Sequence, residues 1–177
     1  MTQSDSRRLF FALWPSDEVR ERIAQAFKRA PQSSMNGRKV APSNYHITLH
    51  FIGNVGPEQQ QCLHLAAQSV VADGFQLTLD RFGHFYKPRV FWFGCQHVPQ
   101  ALEQFQKQLG EALSRCDYQP DARVYAPHVT VMRKLIRPGE LSTAAEIQWD
   151  VSEFVLVESK STAEGVQYEA IEHYPLK

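Results

Sequence analysis

Two short segments of the chain share one pattern of residues that can do acid-base chemistry. His46-Ile47-Thr48-Leu49 and His128-Val129-Thr130-Val131 both place a histidine two residues before a threonine, with aliphatic residues around the threonine. Side chains alternate between the two faces of a β-strand, so each histidine should share a face with its threonine while the aliphatic residues enter the core. The sequence therefore predicts two His-Thr pairs on half-buried strands.

These groups suit displacement at a phosphate. In-line attack places the entering and leaving oxygens on opposite sides of phosphorus, so a base is needed on one side and an acid on the other. An imidazole, whose ordinary pKa is near 6.5, can fill either role near neutral pH. Threonine hydroxyls can donate hydrogen bonds to the non-bridging oxygens, where negative charge gathers. Spacing alone does not assign the base to His46 or to His128.

Two cations, Arg133 and Lys134, follow the second pair and are candidates for binding the phosphate. Strict alternation puts Lys134 on the same face as His128 and Arg133 on the opposite face. Arg133 can then reach the site only if the strand twists or bulges near its end.

The elements around the two pairs also repeat. Phe10 lies 36 residues before His46, Trp92 lies 36 residues before His128, and a helical pattern separates the members of each couple. The shared offset of 82 residues favours a duplicated strand-helix-strand unit, with approximate repeats over residues 7–82 and 89–160. Small mixed domains also alternate strands and helices without duplication. Duplication predicts two interlocked lobes that face each other across a pseudo-twofold axis, in a single domain over residues 1–177.

Composition limits the class of protein. The chain has 177 residues, 43% of them apolar, and 19 basic residues balance 19 acidic ones. That apolar fraction without a charge excess is typical of a globular protein and excludes a disordered one. A net charge of zero excludes a broad basic surface for nonspecific nucleic-acid binding. The apolar run 9–14 is too short for a signal peptide or a membrane span, so we expect a soluble cytoplasmic protein without membrane contact. We also expect a monomer.

Charge and cysteines are unevenly placed. Between residues 36 and 56 the charged residues are Arg38 and Lys39, with no acid, and such a run is often only a solvated loop.

Three cysteines, Cys62, Cys95 and Cys116, make an odd number without a C-x-x-C pair. This pattern argues against a disulfide framework and a zinc site, and it predicts reduced cysteines in the core.

Three segments carry a family resemblance: Arg8-Leu9-Phe10-Phe11-Ala12-Leu13, His46-Ile47-Thr48-Leu49-His50-Phe51-Ile52-Gly53 and Pro127-His128-Val129-Thr130-Val131-Met132-Arg133. With them, nearly the whole chain resembles the two-histidine phosphoesterase superfamily, and within it the bacterial RNA 2',3'-cyclic phosphodiesterase or 2'-5' RNA ligase family. Val131 stands where leucine is common, which is a conservative apolar exchange.

The resemblance implies an α+β, bilobal fold with antiparallel sheets that flank a central cleft. It also implies hydrolysis of 2',3'-cyclic phosphate ends of RNA to 2'-phosphates, without metal, cofactor or ATP, and a related ligation that makes 2'-5' linkages. The resemblance leaves the RNA itself open, with tRNA fragments among the candidates. Residues that align with the family's catalytic quartet are His46, Thr48, His128 and Thr130. Arg133 aligns with an arginine that contacts the phosphate.

Metal and nucleophile chemistry fit the residues less well. His46 and His50 are close in sequence, but no Asp, Glu or Cys lies between residues 36 and 56 to complete a zinc site, which uses three protein ligands in catalytic centres. We therefore predict no metal, and we expect His50 to support the site from behind or to face solvent. No P-loop and no G-x-S-x-G segment is present, so neither an ATP site nor a serine nucleophile is supported.

Two other functions stay open. A phosphoesterase for small cyclic nucleotides shares the reacting group. A noncatalytic RNA-binding module would use aromatic side chains as stacking platforms, and the candidates are Phe10, Phe11, Tyr45, Phe51, Phe91 and Trp92. Most of these lie in apolar runs typical of the core, and Phe11 is the one that we expect to contact a base. Because a binding module needs no paired His-Thr units, the duplicated motif favours an enzyme.

Overall fold

The computed structural model describes residues 6–30, 35–137 and 143–177, and for 143–145 the backbone only. The helices are α1 (Asp17–Arg29), α2 (Pro57–Gln68) and α3 (Gln100–Leu113), with short 3-10 turns at Pro42–Asn44 and Ser114–Cys116. The strands are β1 (Arg7–Leu13), β2 (Arg38–Lys39), β3 (Ile47–Val55), β4 (Phe75–Phe85), β5 (Val90–Gly94), β6 (His128–Arg133), β7 (Thr143–Val151), β8 (Glu153–Thr162) and β9 (Gly165–Pro175).

Within this part of the chain the strands form one antiparallel sheet with a mirrored order. The order is β7-β4-β5-β6-β3-β1-β8-β9, and β2 lies beside β6. From the middle outwards, one half reads β3, β1, β8, β9 and the other reads β6, β5, β4, β7. The α+β class with antiparallel pairing and two halves is confirmed.

The repeats and the halves of the sheet do not coincide. β4, most of which lies in the predicted repeat 7–82, pairs with β5 of the other repeat. β8, most of which lies in the predicted repeat 89–160, pairs with β1. A strand-helix-strand unit leaves one edge of its first strand open, and in each half a strand from elsewhere in the chain pairs with that edge.

The helices begin and pack as their sequences predict. The Ser16 hydroxyl accepts a hydrogen bond from the Val19 amide, which caps the start of α1. One stripe of α3 is buried against the sheet, and its apolar members are Leu102, Phe105, Leu109 and Leu113. Both helices join the main core, on one face of the sheet. No helix among the described residues has the length and apolar character needed to span a membrane.

The two faces of β1 enter different clusters. Leu9, Phe11 and Leu13 belong to the main core beneath the helices. Phe10 and Ala12 belong to a small separate cluster on the opposite face. This second face is the one on which the site lies.

Two of the three cysteines form a disulfide, so the prediction of reduced cysteines is wrong for this pair. Cys62 of α2 and Cys116 have Cα atoms 5.7 Å apart and are bonded, while Cys95 is a free thiol. The two residues are 54 positions apart in the chain. Their approach depends on how α2 packs beside the end of α3, and an odd count leaves room for one bridge.

Candidate active site

The first His-Thr pair lies on a strand with a bulge. Thr48 of β3 pairs with Ala12 of β1, but the next residue of β1, Phe11, pairs with His50. Leu49 is therefore an extra residue in β3, and it is buried, as is His50. A bulge of this kind reverses the alternation of the residues that follow it.

The second pair lies on a strand with the same irregularity. Thr130 of β6 pairs with Trp92 of β5, whereas Met132 pairs with the preceding residue, Phe91. Val131 is the extra residue, and both Val131 and Met132 are buried. The two bulges lie 82 residues apart, the same offset as the two histidines.

The bulges decide which side chains reach the site. Phe51 and Arg133, at equivalent positions after the two bulges, both line a cleft of about 800 Å³ beside His46 and Thr48. Arg133 therefore reaches the cleft because β6 bulges before it, whereas strict alternation would have put it on the opposite face from His128. Lys134, whose backbone has a φ of 55°, lines the same cleft.

His128 and Thr130 stand on β6 at the junction of the two halves. The junction is one residue pair, Ile47 with Val129, in antiparallel register. One step along that register in each direction brings Thr48 beside His128 and His46 beside Thr130. Thr48 and His128, and likewise His46 and Thr130, therefore face each other across the junction of the two halves, and His46 and Thr48 line the cleft.

Hydrogen bonds orient both imidazoles in the same way. Nδ1 of His46 lies 2.8 Å from the carbonyl oxygen of Asn44, and Nδ1 of His128 lies 2.7 Å from that of Ala126. A carbonyl oxygen only accepts, so each Nδ1 carries the hydrogen. In the neutral ring Nε2 is then an acceptor, and on His46 it lies 3.1 Å from the Thr48 hydroxyl. In the neutral form of each histidine Nε2 is therefore unprotonated and can accept a proton.

Aromatic rings hold the imidazoles in equivalent surroundings. Phe10 lies 4.8 Å from the His46 ring, and Trp92, at the matching position of β5, lies 6.2 Å from the His128 ring. A second ring meets each imidazole nearly edge-on at 5.1 Å. These second rings are Tyr168 beside His46 and Phe85 beside His128. The duplication therefore includes the packing of the histidines.

Burial and charge lower the pKa of both histidines. Burial is the main cause that lowers the pKa of His46 to about 4; the Asn44 carbonyl opposes it, and Arg133 and His128 add to it. Burial likewise lowers the pKa of His128, with the Ala126 carbonyl opposing it and Arg133 lowering it further. In the ligand-free protein both rings are therefore mainly neutral at pH 7. A bound anion would favour their protonation.

A known protein family matches most of the chain. The family model described as the 2'-5' RNA ligase superfamily matches residues 15–163, a range that contains both His-Thr pairs. The chain belongs to the 2'-5' RNA ligase superfamily.

Relatives from Escherichia coli are similar to this chain along nearly their whole length. The RNA 2',3'-cyclic phosphodiesterase of Escherichia coli strain K12 is 32% identical over 177 residues, which is 98% of each chain. The crystal structure of E. coli LigT in its apo form matches with a TM-score of 0.88 at 31% identity and covers 98% of this chain and 99% of that one. The complex of LigT with 3'-AMP gives the same TM-score, identity and coverage.

One residue assigned to the site from the sequence lies elsewhere. Phe11 is fully buried, 6.1 Å from the Tyr174 ring and 6.3 Å from the Phe154 ring, so the prediction that it contacts a base is wrong. Its neighbour Phe10 faces the cleft instead. The duplication could have shown this, because Phe10 and Trp92 hold equivalent positions relative to the two histidines.

His50 does not face solvent. Its Nε2 donates to the carbonyl oxygen of Gln106 at 2.7 Å, so its Nδ1 accepts from the Tyr118 hydroxyl at 3.1 Å. The bulge at Leu49 puts His50 on the opposite face of β3 from His46, so the two do not form a pair of metal ligands. No cluster of three metal-ligating residues occurs in 6–30, 35–137 or 143–177, and the metal-free mechanism stays a prediction.

A loop for which the sequence predicts no role supports β3 on its core side. Tyr118 contacts His50, and the hydroxyl of Tyr125 donates to the carbonyl oxygen of Thr48 at 3.1 Å. Residues 117–127 therefore connect the end of α3 to His128 while they also hold the strand of the other His-Thr pair. No periodicity in this segment indicates such a role.

The pKa of His46 predicts acid sensitivity of the fold. In the unfolded chain the imidazole binds a proton below pH 6.5, whereas in the folded protein it does so only near pH 4. The stabilisation by neutral His46 is complete above pH 6.5 and is lost as the pH falls through about 4. Since one pH unit of difference in pKa corresponds to about 1.4 kcal/mol, we expect a loss of about 3 kcal/mol in the free energy of unfolding.

Urea unfolding at a series of pH values between 7 and 4 measures this loss, with the His46→Gln variant beside the native protein. The variant should lose less stability over this range, because glutamine does not titrate. His97→Gln, a change at an exposed histidine, is the control and should behave like the native protein. Equal acid sensitivity of native protein and His46→Gln would contradict the assignment.

Proposed function

We propose that this superfamily member is an RNA 2',3'-cyclic phosphodiesterase that opens a 2',3'-cyclic phosphate end to a 2'-phosphate. The observation that carries the proposal is the duplicated pair of imidazoles, each with Nδ1–H held by a backbone carbonyl. The E. coli relative of the same length is named for this activity.

The reaction needs one proton removed and one delivered. A water oxygen attacks phosphorus and gives its proton to the neutral imidazole, while the bond from phosphorus to the 3' oxygen breaks. The 3' oxygen takes a proton from the second imidazole, which must be charged. The 2' oxygen keeps the phosphate. His46 and His128 fill these two roles, and the lowered pKa of both means that the anionic substrate itself helps to charge the acid.

Neighbouring groups stabilise the transition state. Thr48 and Thr130 share the face of their histidines and donate to the non-bridging oxygens of phosphorus. Arg133 supplies positive charge, with Lys134 beside it in the cleft.

Phe51 is the platform for the terminal base. It is 50% exposed, unusual for a phenylalanine in a central strand, and the Arg8 guanidinium lies 4.9 Å from its ring centre. A base can stack on such a ring with little dependence on sequence.

The same site can join RNA ends. A 5'-hydroxyl in the place of the water would attack the same phosphorus and release the same 3' oxygen, which leaves a 2'-5' linkage. Opening of the cyclic phosphate supplies the free energy for ligation, so no ATP is required. We propose tRNA fragments with cyclic phosphate ends as one source of substrate.

The decisive experiment identifies the product. Purified protein with EDTA and without nucleotide is incubated with an oligonucleotide that ends in a 2',3'-cyclic phosphate, and we expect a 2'-phosphate. The double variant His46→Ala/His128→Ala is the blank. A 3'-phosphate, or activity that vanishes with EDTA and returns with Zn²⁺ or Mn²⁺, would contradict the mechanism.

Two rival functions give different results in this experiment. A noncatalytic binding module would retain the oligonucleotide without changing it. A phosphoesterase for small cyclic nucleotides would open a 2',3'-cyclic mononucleotide and leave the oligonucleotide intact. Conversion of the oligonucleotide is therefore the result that supports the proposal.

Location and oligomeric state belong to the same proposal. We expect a cytoplasmic monomer, since RNA fragments arise in that compartment and the cleft lies within one chain.

A further inference from the structure

The outer end of the cleft carries cations that the chemistry does not use. β2 pairs with the end of β6, so that Arg38 lies opposite Arg133 and Lys39 opposite Met132. Arg38 and Lys39 both line the cleft and are exposed, beyond Arg133 as seen from the catalytic centre.

The pairing of Arg38 with Arg133 is unfavourable by itself. Like charges directly opposite each other on neighbouring strands destabilise a sheet. In residues 6–30, 35–137 and 143–177 neither arginine, nor Lys39, forms an ion pair, whereas Arg123 and Lys160 have carboxylate partners. Glu164 is the acid of the cleft lining. The arrangement suits an anion that binds between the side chains of Arg38 and Arg133.

The cleft is closed on one side by the turn between β8 and β9. Arg38 donates through one nitrogen to the carbonyl oxygen of Glu164 at 3.3 Å, and Asn44 donates to that of Val166 at 3.0 Å. Gly165 has a φ of 128°, and a side chain there would meet the Arg38 guanidinium at 3.0 Å. The turn therefore forms a wall, and the path from His46 leads out along β2.

We propose that Arg38 and Lys39 bind backbone phosphates of the nucleotides that precede the cyclic phosphate end. The substrate class is then single-stranded RNA of several nucleotides, and a mononucleotide fills only the inner part of the site. This inference rests on the proposed function. Arg38 also keeps its contact with the turn, since a guanidinium has five donors.

The proposal is tested by varying the length of the RNA substrate and the salt concentration. Substrates that share one terminal nucleotide and differ in length, from a cyclic mononucleotide to an octanucleotide, are assayed for kcat/KM across a range of salt. For single strands each bound phosphate adds a slope of about 0.7 in the plot of log affinity against log salt. We expect a steeper slope for the octanucleotide, by about 0.7 for each cation engaged.

Lys39→Gln should lower that slope by about 0.7 and raise KM for the octanucleotide about fivefold at 0.1 M salt, the factor that this slope implies. Arg38→Gln/Lys39→Gln should double the change in slope. Lys107→Gln/Arg115→Gln is the control, with the same loss of charge at two exposed positions outside the cleft lining. An octanucleotide with neutral methylphosphonate linkages should behave like the mononucleotide.

The outcomes separate the two levels of the proposal. Equal losses for mononucleotide and octanucleotide in Lys39→Gln, or an unchanged salt slope, would overturn the phosphate path while cyclic phosphate hydrolysis continues. Absence of hydrolysis for every length in the native protein would instead overturn the proposed function.

Discussion

Replacement of either histidine should abolish most of the turnover. His46→Ala and His128→Ala are each expected to lower kcat by about 10² to 10⁴, the range that one positioned acid or base contributes. Single-turnover assays with a cyclic phosphate oligonucleotide measure the loss, and circular dichroism checks the fold. The double variant should lose much less than the product of the single losses, because the two groups act in one step.

His97→Ala is the matched control, since His97 is exposed and belongs to neither His-Thr pair. It should retain native turnover. A folded His128→Ala protein with near-native kcat would show that the second imidazole has a structural role only, and catalysis would then need another acid.

Arg133 should affect both the rate and its pH dependence. Loss of a group that stabilises developing charge typically costs about 10² to 10³ in kcat, and we expect this for Arg133→Gln. Arg133 lowers the pKa of both histidines, so its removal raises both. The bell-shaped profile of kcat/KM, whose limbs belong to the coupled pair, should peak on the acid side in the native protein and move to higher pH in the variant.

Arg133→Lys separates the two effects. It keeps the positive charge, so the profile should stay in place, but it loses the fork that matches a phosphate, so kcat should fall. Arg115→Gln controls for net charge and should change neither quantity. A profile that does not move in Arg133→Gln, with kcat reduced, would show that Arg133 stabilises the transition state without setting the pKa of the histidines.

The sequence predicted where the two His-Thr pairs lie on their strands, because the histidines repeat at a fixed offset. Type and spacing were enough to place His46 and Thr48 on one face, and likewise His128 and Thr130. The α+β class followed from the resemblance and is confirmed. The placement of the two His-Thr pairs depends on local alternation and on duplication, and both can be read from one chain.

Three features depend on distant contacts and could not be read in this way. The bulges need knowledge of the neighbouring strand, so the sequence left open whether His50 supports the site from behind or faces solvent. The bridge between Cys62 and Cys116 needs the packing of α2 beside the end of α3. The outer strands of each half come from remote segments, so repeat boundaries did not delimit the halves. Phe11 is a different case, because the repeat itself pointed to Phe10.

The paired bulges also bear on the direction in which a strand of RNA can enter. A site with true twofold symmetry would accept its ligand in two opposite orientations, with the roles of the histidines exchanged. After each bulge the chain presents one side chain at the same place, and these are an aromatic ring, Phe51, and a guanidinium, Arg133. A nucleotide offers a base to the aromatic ring and a phosphate to the guanidinium. The strands around the site are therefore arranged symmetrically, but a bound RNA strand is expected to have one polarity.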